Sequence, residues 1–308
     1  MKSSMNPYRF RTKSSMNFYR FRIKSAPYVF IAPFFILFVS FMLYPFAFSI
    51  YAAFTEWNGI RQPVFIGLDN FSRLLQDNIF RQSIINGVII YFMYVPLLVL
   101  LALLLAVGLT RPWIKLKSFF RAAVFVPNIT AVVAVAFLFR LAFSPNANGL
   151  INSFLQNFNP DIQISWFATP MLARGVLALL ILWRWLGFNM IIMMAGLSTI
   201  DSDLYESAEI DGAGAIKKFT KITIPLMRHS ILFICVMSTI GTFSLFAEPM
   251  FLTSGGGPMN ATISTVLYMY NTAFLHMRFG YASTIAVAYF IIMMLLAAAQ
   301  FRVNRNKD

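Results

Sequence analysis

The sequence predicts an all-α membrane protein with six transmembrane helices, on three observations. Only 12% of its 308 residues are charged and 59% are hydrophobic, whereas a soluble domain keeps roughly 25% charged. The mean hydropathy is +0.70. No ionised side chain occurs over 25–55, 82–110, 122–139, 185–200, 229–247 or 279–301, and a bilayer-crossing helix needs about 20 mostly apolar residues.

Each run predicts one helix, near 28–54, 83–109, 119–143, 171–197, 229–253 and 279–301. The fourth is interrupted by Arg184. Pro33, Pro45, Pro96 and Pro127 fall inside spans, where proline kinks a helix and neighbours or water satisfy the freed carbonyls.

The net charge of +14 is distributed by side. With the N-terminus inside, the cytoplasmic segments hold 18 of the 25 bases and the opposite side holds Arg61, Arg73, Arg81 and Arg278. The positive-inside rule then places both termini in the cytoplasm. The basic excess reports topology and not nucleic-acid binding. Residues 1–26 form a basic cytoplasmic tail built on a tandem repeat, "KSSMNPYRFRT" then "KSSMNFYRFRI", with nine of eleven positions identical. Such a tail fixes orientation and meets anionic membrane lipid. The apolar run after it is too long for a signal peptide. Residues 27–308 form the membrane domain.

Several chemistries are excluded. One cysteine, Cys235, cannot make an internal disulfide or a cysteine metal cluster. His229 and His276 fall on opposite sides of the membrane. The string "GAGAIKKFT" has the wrong spacing for a phosphate-binding loop, so the chain carries no ATPase site of that kind.

One cytoplasmic loop stands apart. Residues 201–228 hold five acids and four bases, acids first and bases last. Asp201 and Ser202 can cap a short helix whose first turns carry Asp203, Glu206 and Glu209 near the positive dipole end. Gly212 and Gly214 then allow a bend, and Lys217, Lys218 and Lys221 precede re-entry at Ile222, Ile224 and Pro225. The reading is helix, small-residue corner, helix.

The pattern Glu206-Ser207-Ala208, Gly212, Ile222, Ile224-Pro225 resembles the "EAA" loop of binding-protein-dependent ABC importer permeases. The spacing matches throughout, with Ser207 for Ala and Ile224 for Leu as departures. "PYVFIAPFFILFVSFMLYPFAFSIYAAFTEWNG", "FIGLDNF", "GFNMIIMMAGLSTI", "LTSGGGP" and "FGYASTIAV" are similar to the maltose-transporter-like sugar branch. The likeness runs from about residue 27 to 301.

The resemblance implies a type I ABC importer permease of MetI-like fold in the bacterial inner membrane, with cytoplasmic coupling helices in loop 201–225. It implies a sister permease in a heterodimer, two ABC ATPase subunits holding ATP and magnesium, an extracytoplasmic solute-binding protein and a sugar solute. This chain then has no cofactor of its own and is not an enzyme. A secondary transporter is the first rival and predicts buried ionisable pairs. A membrane-embedded enzyme is the second, and no catalytic cluster assembles from the spans.

A sugar crossing hydrocarbon must not leave its hydroxyls unpaired, at about 2–7 kcal/mol each in the worst case. The polar and aromatic span residues expected to line its path are Asn128, Thr130, Trp185, Asn189, Thr242, Ser244 and Glu248. Thr242 and Ser244, two apart, cannot both face one cavity centre, and any such hydroxyl can instead bond its own helix backbone. "SGGGP" (254–258) reads either as a hinge or as a turn ending the fifth helix. Arg184 and Glu248 lie deep in two spans, where a charge normally finds a partner or water. On straight helices they sit one to two turns apart, which leaves open a direct pair or separate cavity-lining roles.

Overall fold

The computed structural model describes residues 27–110, 114–146 and 149–305, with side chains to residue 302. The expected tail, residues 1–26, lies outside the described residues. The chain opens with α1 (Pro27–Ala53). A two-residue hairpin follows, β1 (Thr55–Glu56) against β2 (Val64–Phe65), antiparallel with Thr55 opposite Phe65. Then come α2 (Asp69–Leu75), α3 (Asn78–Thr110), α4 (Lys117–Ile129), α5 (Val132–Ala142), α6 (Leu150–Gln156) and α7 (Pro170–Leu197). The charged loop forms α8 (Ser202–Ile210) and α9 (Ala215–Leu226). The chain ends with α10 (Arg228–Phe243), α11 (Ala247–Leu252), α12 (Thr265–Tyr270) and α13 (Phe279–Arg305).

Four of these, α1, α3, α7 and α13, are long and apolar enough to cross a membrane. Two bent pairs raise the number to six if each pair is one span: α4 with α5, turned by 94°, and α9 with α10, turned by 63°. The third expected helix is therefore not continuous, and the fifth is broken separately, at 244–246. In the third, Thr130 and Ala131 are extended, with ψ of 143° and 119°. Thr130 Oγ1 donates to Val126 O at 2.9 Å and closes α4.

The fifth expected helix stops at Phe243, and α11 begins after Phe246, whose φ of −132° and ψ of −64° lie outside the helical region. Pro249 supplies a physical reason. Lacking an N–H, proline cannot bond the carbonyl four residues back, and its ring collides with that carbonyl. The Leu245 carbonyl, freed in this way, accepts from Ser264 Oγ, and Ser264 in turn caps α12 by accepting from Leu267 N. One serine thus satisfies two helix ends.

The core lies between α3 and α7. Leu98, Ala102 and Ala106 make a fully buried stripe at four-residue spacing, packed with Leu177, Leu180 and Ile181 of α7. Asn86 and Arg174, near the starts of the two helices, bond each other at 2.8 Å, so α3 and α7 begin at the same end. By contrast, the most apolar window of α1 is 0% buried. Phe46 packs edge-on against Phe290 of α13 at 5.6 Å, and its other faces present apolar side chains that a hydrocarbon layer accepts.

Gly187 sets how closely α4 lies on α7. A Cβ there would sit 2.1 Å from the Val124 carbonyl oxygen and 2.7 Å from the Phe125 Cα, and backbone cannot step aside as a side chain can. Small residues permit such approach between membrane helices. Gly187→Ala is expected to cost about 1–3 kcal/mol by overpacking. Gly175→Ala on the same helix, whose nearest neighbour would be Met93 Cε at 3.7 Å, is expected to be neutral or slightly stabilising. Thermal unfolding of the two variants side by side checks the contrast.

Candidate functional site

Helices α7 and α10 are the arms of a hairpin whose tip is loop 201–225. Arm α7 carries Arg184, Trp185 and Asn189, and α10 leads through a break at 244–246 to Glu248. Arg184 Nη1 donates to Glu248 Oε1 at 2.7 Å, with the two side chains 11% and 10% exposed. The direct pair is formed. The expected offset of one to two turns assumed a straight fifth helix, and the break removes that rise. The Arg184 guanidinium also lies 6.0 Å from the centre of the Trp185 ring. Its Nε has no partner among the described residues.

Beside the pair is a cavity of about 350 Å³, lined by Tyr94, Trp185, Phe188, Asn189, Ser244 and Glu248 among others. Four expected pathway residues therefore meet there: Trp185, Asn189, Ser244 and Glu248. Trp185, Phe188 and Asn189 share one face by their three- and four-residue spacing. Ser244 Oγ lies 2.5 Å from Tyr289 OH, and Asn189 Nδ2 donates to Trp185 O at 2.9 Å.

The other three are not among the lining residues. Thr242 is buried away from the cavity, 2.8 Å from Tyr94 OH and donating to Ser238 O at 2.6 Å. Thr130 closes α4, and Asn128 is half-buried in the same turn. Sequence reasoning missed Tyr94, Phe188 and Ser238. The spacing from Trp185 was a usable signal for Phe188. Nothing local marks Tyr94, which lies in α3, far away in sequence.

At the tip, the Asp201 side chain accepts from Asp203 N at 3.1 Å and caps α8. Gly212 ends it in a left-handed turn with φ of 72°. Ala213 N bonds Ala208 O at 2.8 Å and Gly212 N bonds Glu209 O at 3.0 Å, the paired closure that favours glycine at this position. Lys218 reaches Glu209 at 3.1 Å across the corner, and Tyr205 OH lies 2.9 Å from Thr223 Oγ1. Glu206, Ser207, Gly212 and Pro225 are exposed, while Ala208 and Ile222 are half-buried. Ile210 and Ile216 stand out at 87% and 81% exposure. Leu204, Ile224 and Leu226 of the same stretch are also exposed, at 47%, 39% and 49%.

The end of the bundle where α3 and α7 begin holds a larger, polar cavity of about 480 Å³, with Glu56, Arg73, Asp77 and Arg278 in its walls. Burial alone would raise the Asp77 carboxyl. Bonds from the Tyr268 and Tyr281 hydroxyls and the Phe80 and Ile79 N–H groups outweigh burial and hold it below its ordinary value. The "SGGGP" stretch is a tied turn: Thr262 N bonds Gly256 O at 2.8 Å. Arg174 Nε donates to Ala261 O at 2.9 Å, and Asn86 Nδ2 to Asn260 O and Ile263 O at 2.7 and 3.0 Å.

Breaking a buried ion pair from one side leaves an uncompensated charge and costs about 3–5 kcal/mol. Arg184→Gln and Glu248→Gln are each expected to destabilise on that scale, and the double variant to recover most of the loss. Thermal unfolding of all four proteins measures this. Strict additivity of the two losses would show that the pair does not act as a unit.

Comparison with known proteins agrees with this geometry. A family model described as "binding-protein-dependent transport system inner membrane component" matches residues 71–307. The lactose transport system permease protein LacF of Rhizobium radiobacter is 36% identical over 283 residues, covering 91% of this chain and 94% of that protein. The arabinooligosaccharides transport system permease protein AraP of Bacillus subtilis is 30% identical over 279 residues, with 91% and 88% covered. Among solved structures, a chain of a bacterial ABC transporter that imports the acidic polysaccharide alginate superposes with a TM-score of 0.76 at 21% identity, covering 94% of this chain and 99% of that one. With its break-jointed spans, its capped loop and these relatives, the chain belongs to the family of binding-protein-dependent transport system inner membrane components.

Proposed function

We propose that this chain is the membrane-spanning permease subunit of an ATP-driven importer that passes a di- or oligosaccharide from a solute-binding protein into the cytoplasm. One observation carries the reading. The loop with the Glu206-Ser207-Ala208…Gly212…Ile222…Pro225 pattern is the tip of a hairpin whose arms line a mainly apolar cavity carrying aromatic faces and a few polar groups. The tip meets an ATPase subunit, with Ile210 and Ile216 as its apolar anchors and Glu206 facing a basic group. Trp185, Asn189, Ser244 and Glu248 meet the solute, whose ring faces suit the aromatic planes and whose hydroxyls suit the polar groups. The lactose and arabinooligosaccharide permeases among its relatives favour a saccharide.

A sister permease completes the pathway, two ATPase subunits hold ATP and magnesium, and the charged tip lies in the cytoplasm together with both termini. The binding protein meets the opposite end. A solved alginate transporter similar in fold was captured with a periplasmic protein carrying an alginate pentasaccharide.

The buried Arg184–Glu248 pair is the feature a gradient-driven transporter would use. Such a transporter has no use for an exposed, double-capped loop with two bare isoleucines. Uptake of lactose and arabinooligosaccharides into vesicles bearing the complete complex separates the two readings. ATP-dependent uptake without an ion gradient is expected, and uptake driven by a proton or sodium gradient without ATP would overturn the proposal. Ile210→Asp with Ile216→Asp is expected to lower uptake at least tenfold with the subunit still folded, since both side chains point into solvent. Full uptake by that variant would remove the coupling role.

A further inference from the structure

Glu248 is the one charged side chain among the residues lining the 350 Å³ cavity. No lysine, arginine or histidine lines it. Arg184 is absent from the lining, and one of its amino groups is committed to Glu248 Oε1. Within a mainly apolar lining that includes Ile181, Met237, Ile240 and Leu245, the polar groups are the Glu248 carboxylate, the Asn189 amide, the Tyr94 phenol and the Ser238 and Ser244 hydroxyls, beside the faces of Trp185 and Phe188.

We propose that this cavity selects uncharged saccharides against acidic ones, with Glu248 as the specificity-determining residue. The inference rests on the saccharide reading given under Proposed function and narrows its substrate class. An ionised carboxylate accepts only, and bonds from neutral hydroxyls to it are stronger than neutral–neutral bonds. A solute hydroxyl that donates to Glu248 gains such a bond. A solute carboxylate can neither donate to it nor find a cation among this chain's lining residues, and it meets the carboxylate at a largely buried position where screening is weak. The 2.7 Å bond to Arg184 aims Glu248, and Arg184 itself is not among the lining residues. The acidic polysaccharide carried by the alginate transporter therefore does not transfer to this chain with the shared fold.

Gly241 provides the test. It lies on α10 in the cavity wall, and a Cβ added there meets no heavy atom within 4 Å, so a long side chain enters open space. The experiment uses the complete permease–ATPase complex in lipid nanodiscs, without binding protein, so that delivery does not impose its own selectivity. The probes are cellobiose and cellobiuronic acid, which differ by one carboxylate, and binding is read by saturation-transfer NMR.

The wild-type complex is expected to bind cellobiose at least tenfold more tightly than the acid. Gly241→Lys is expected to shift that ratio at least tenfold toward the acid, while Gly241→Gln, similar in bulk and uncharged, leaves it unchanged. Equal binding of both probes by the wild type, or an unmoved ratio in Gly241→Lys, overturns charge selection and leaves the saccharide reading intact. Binding of neither probe overturns charge selection in this cavity, while uptake of lactose and arabinooligosaccharides by the complete complex decides the saccharide reading separately.

Discussion

The Arg184–Glu248 bond is the interaction around which the site is organised. Both groups lie deep in segments otherwise suited to hydrocarbon, where either charge alone would be costly. Paired at 2.7 Å, they fasten α7 to α11 across the break in the fifth span. The break itself comes from Pro249, and its loose carbonyl is taken up by Ser264. A proline, a serine and an ion pair thus meet at the break beside the cavity.

Much of this was legible in the sequence where the signal is local. The absence of charge marked α1, α3 and α13, whereas α7 was marked only beyond Arg184, which interrupts its apolar run. Capping chemistry and glycine at the corner marked the loop at 201–225, including the Asp201 cap and the bend at Gly212. The breaks were less legible. The run 229–247 carries no charge and ends beside Glu248, so it read as one span to 253 although Pro249 stood in view. The turn at Thr130–Ala131 has no proline within two residues and depends on how α5 packs against α7 and α11.

The contents of the cavity were half legible for the same reason. Trp185, Asn189, Ser244 and Glu248 are polar or aromatic within apolar runs and stand out locally. Thr242 stands out equally, yet its hydroxyl bonds Ser238 O and Tyr94, because two residues along a helix turn the side chain well away from Ser244. Tyr94 enters from α3 and is assigned only once the packing of α3 and α10 is known. The charge pair resisted prediction because its separation depended on the break.

In the proposed mechanism the hairpin is a lever. From Trp185 to Leu197 the α7 arm is uninterrupted helix, about 18 Å at 1.5 Å per residue, and its far end runs into the capped loop. A displacement of the tip by an ATPase subunit is carried along a packed rod to the cavity wall. The tip joins the other arm, α10, through the π-helical turn Phe219–Thr223 and the 63° bend before Arg228.

Inserting three glycines after Ser198, between the end of α7 and the cap at Asp201, tests the lever most directly. The account predicts that the complex still assembles and hydrolyses ATP at its basal rate while ATP-driven saccharide uptake falls to background. Uptake at the wild-type rate across that flexible joint would contradict it.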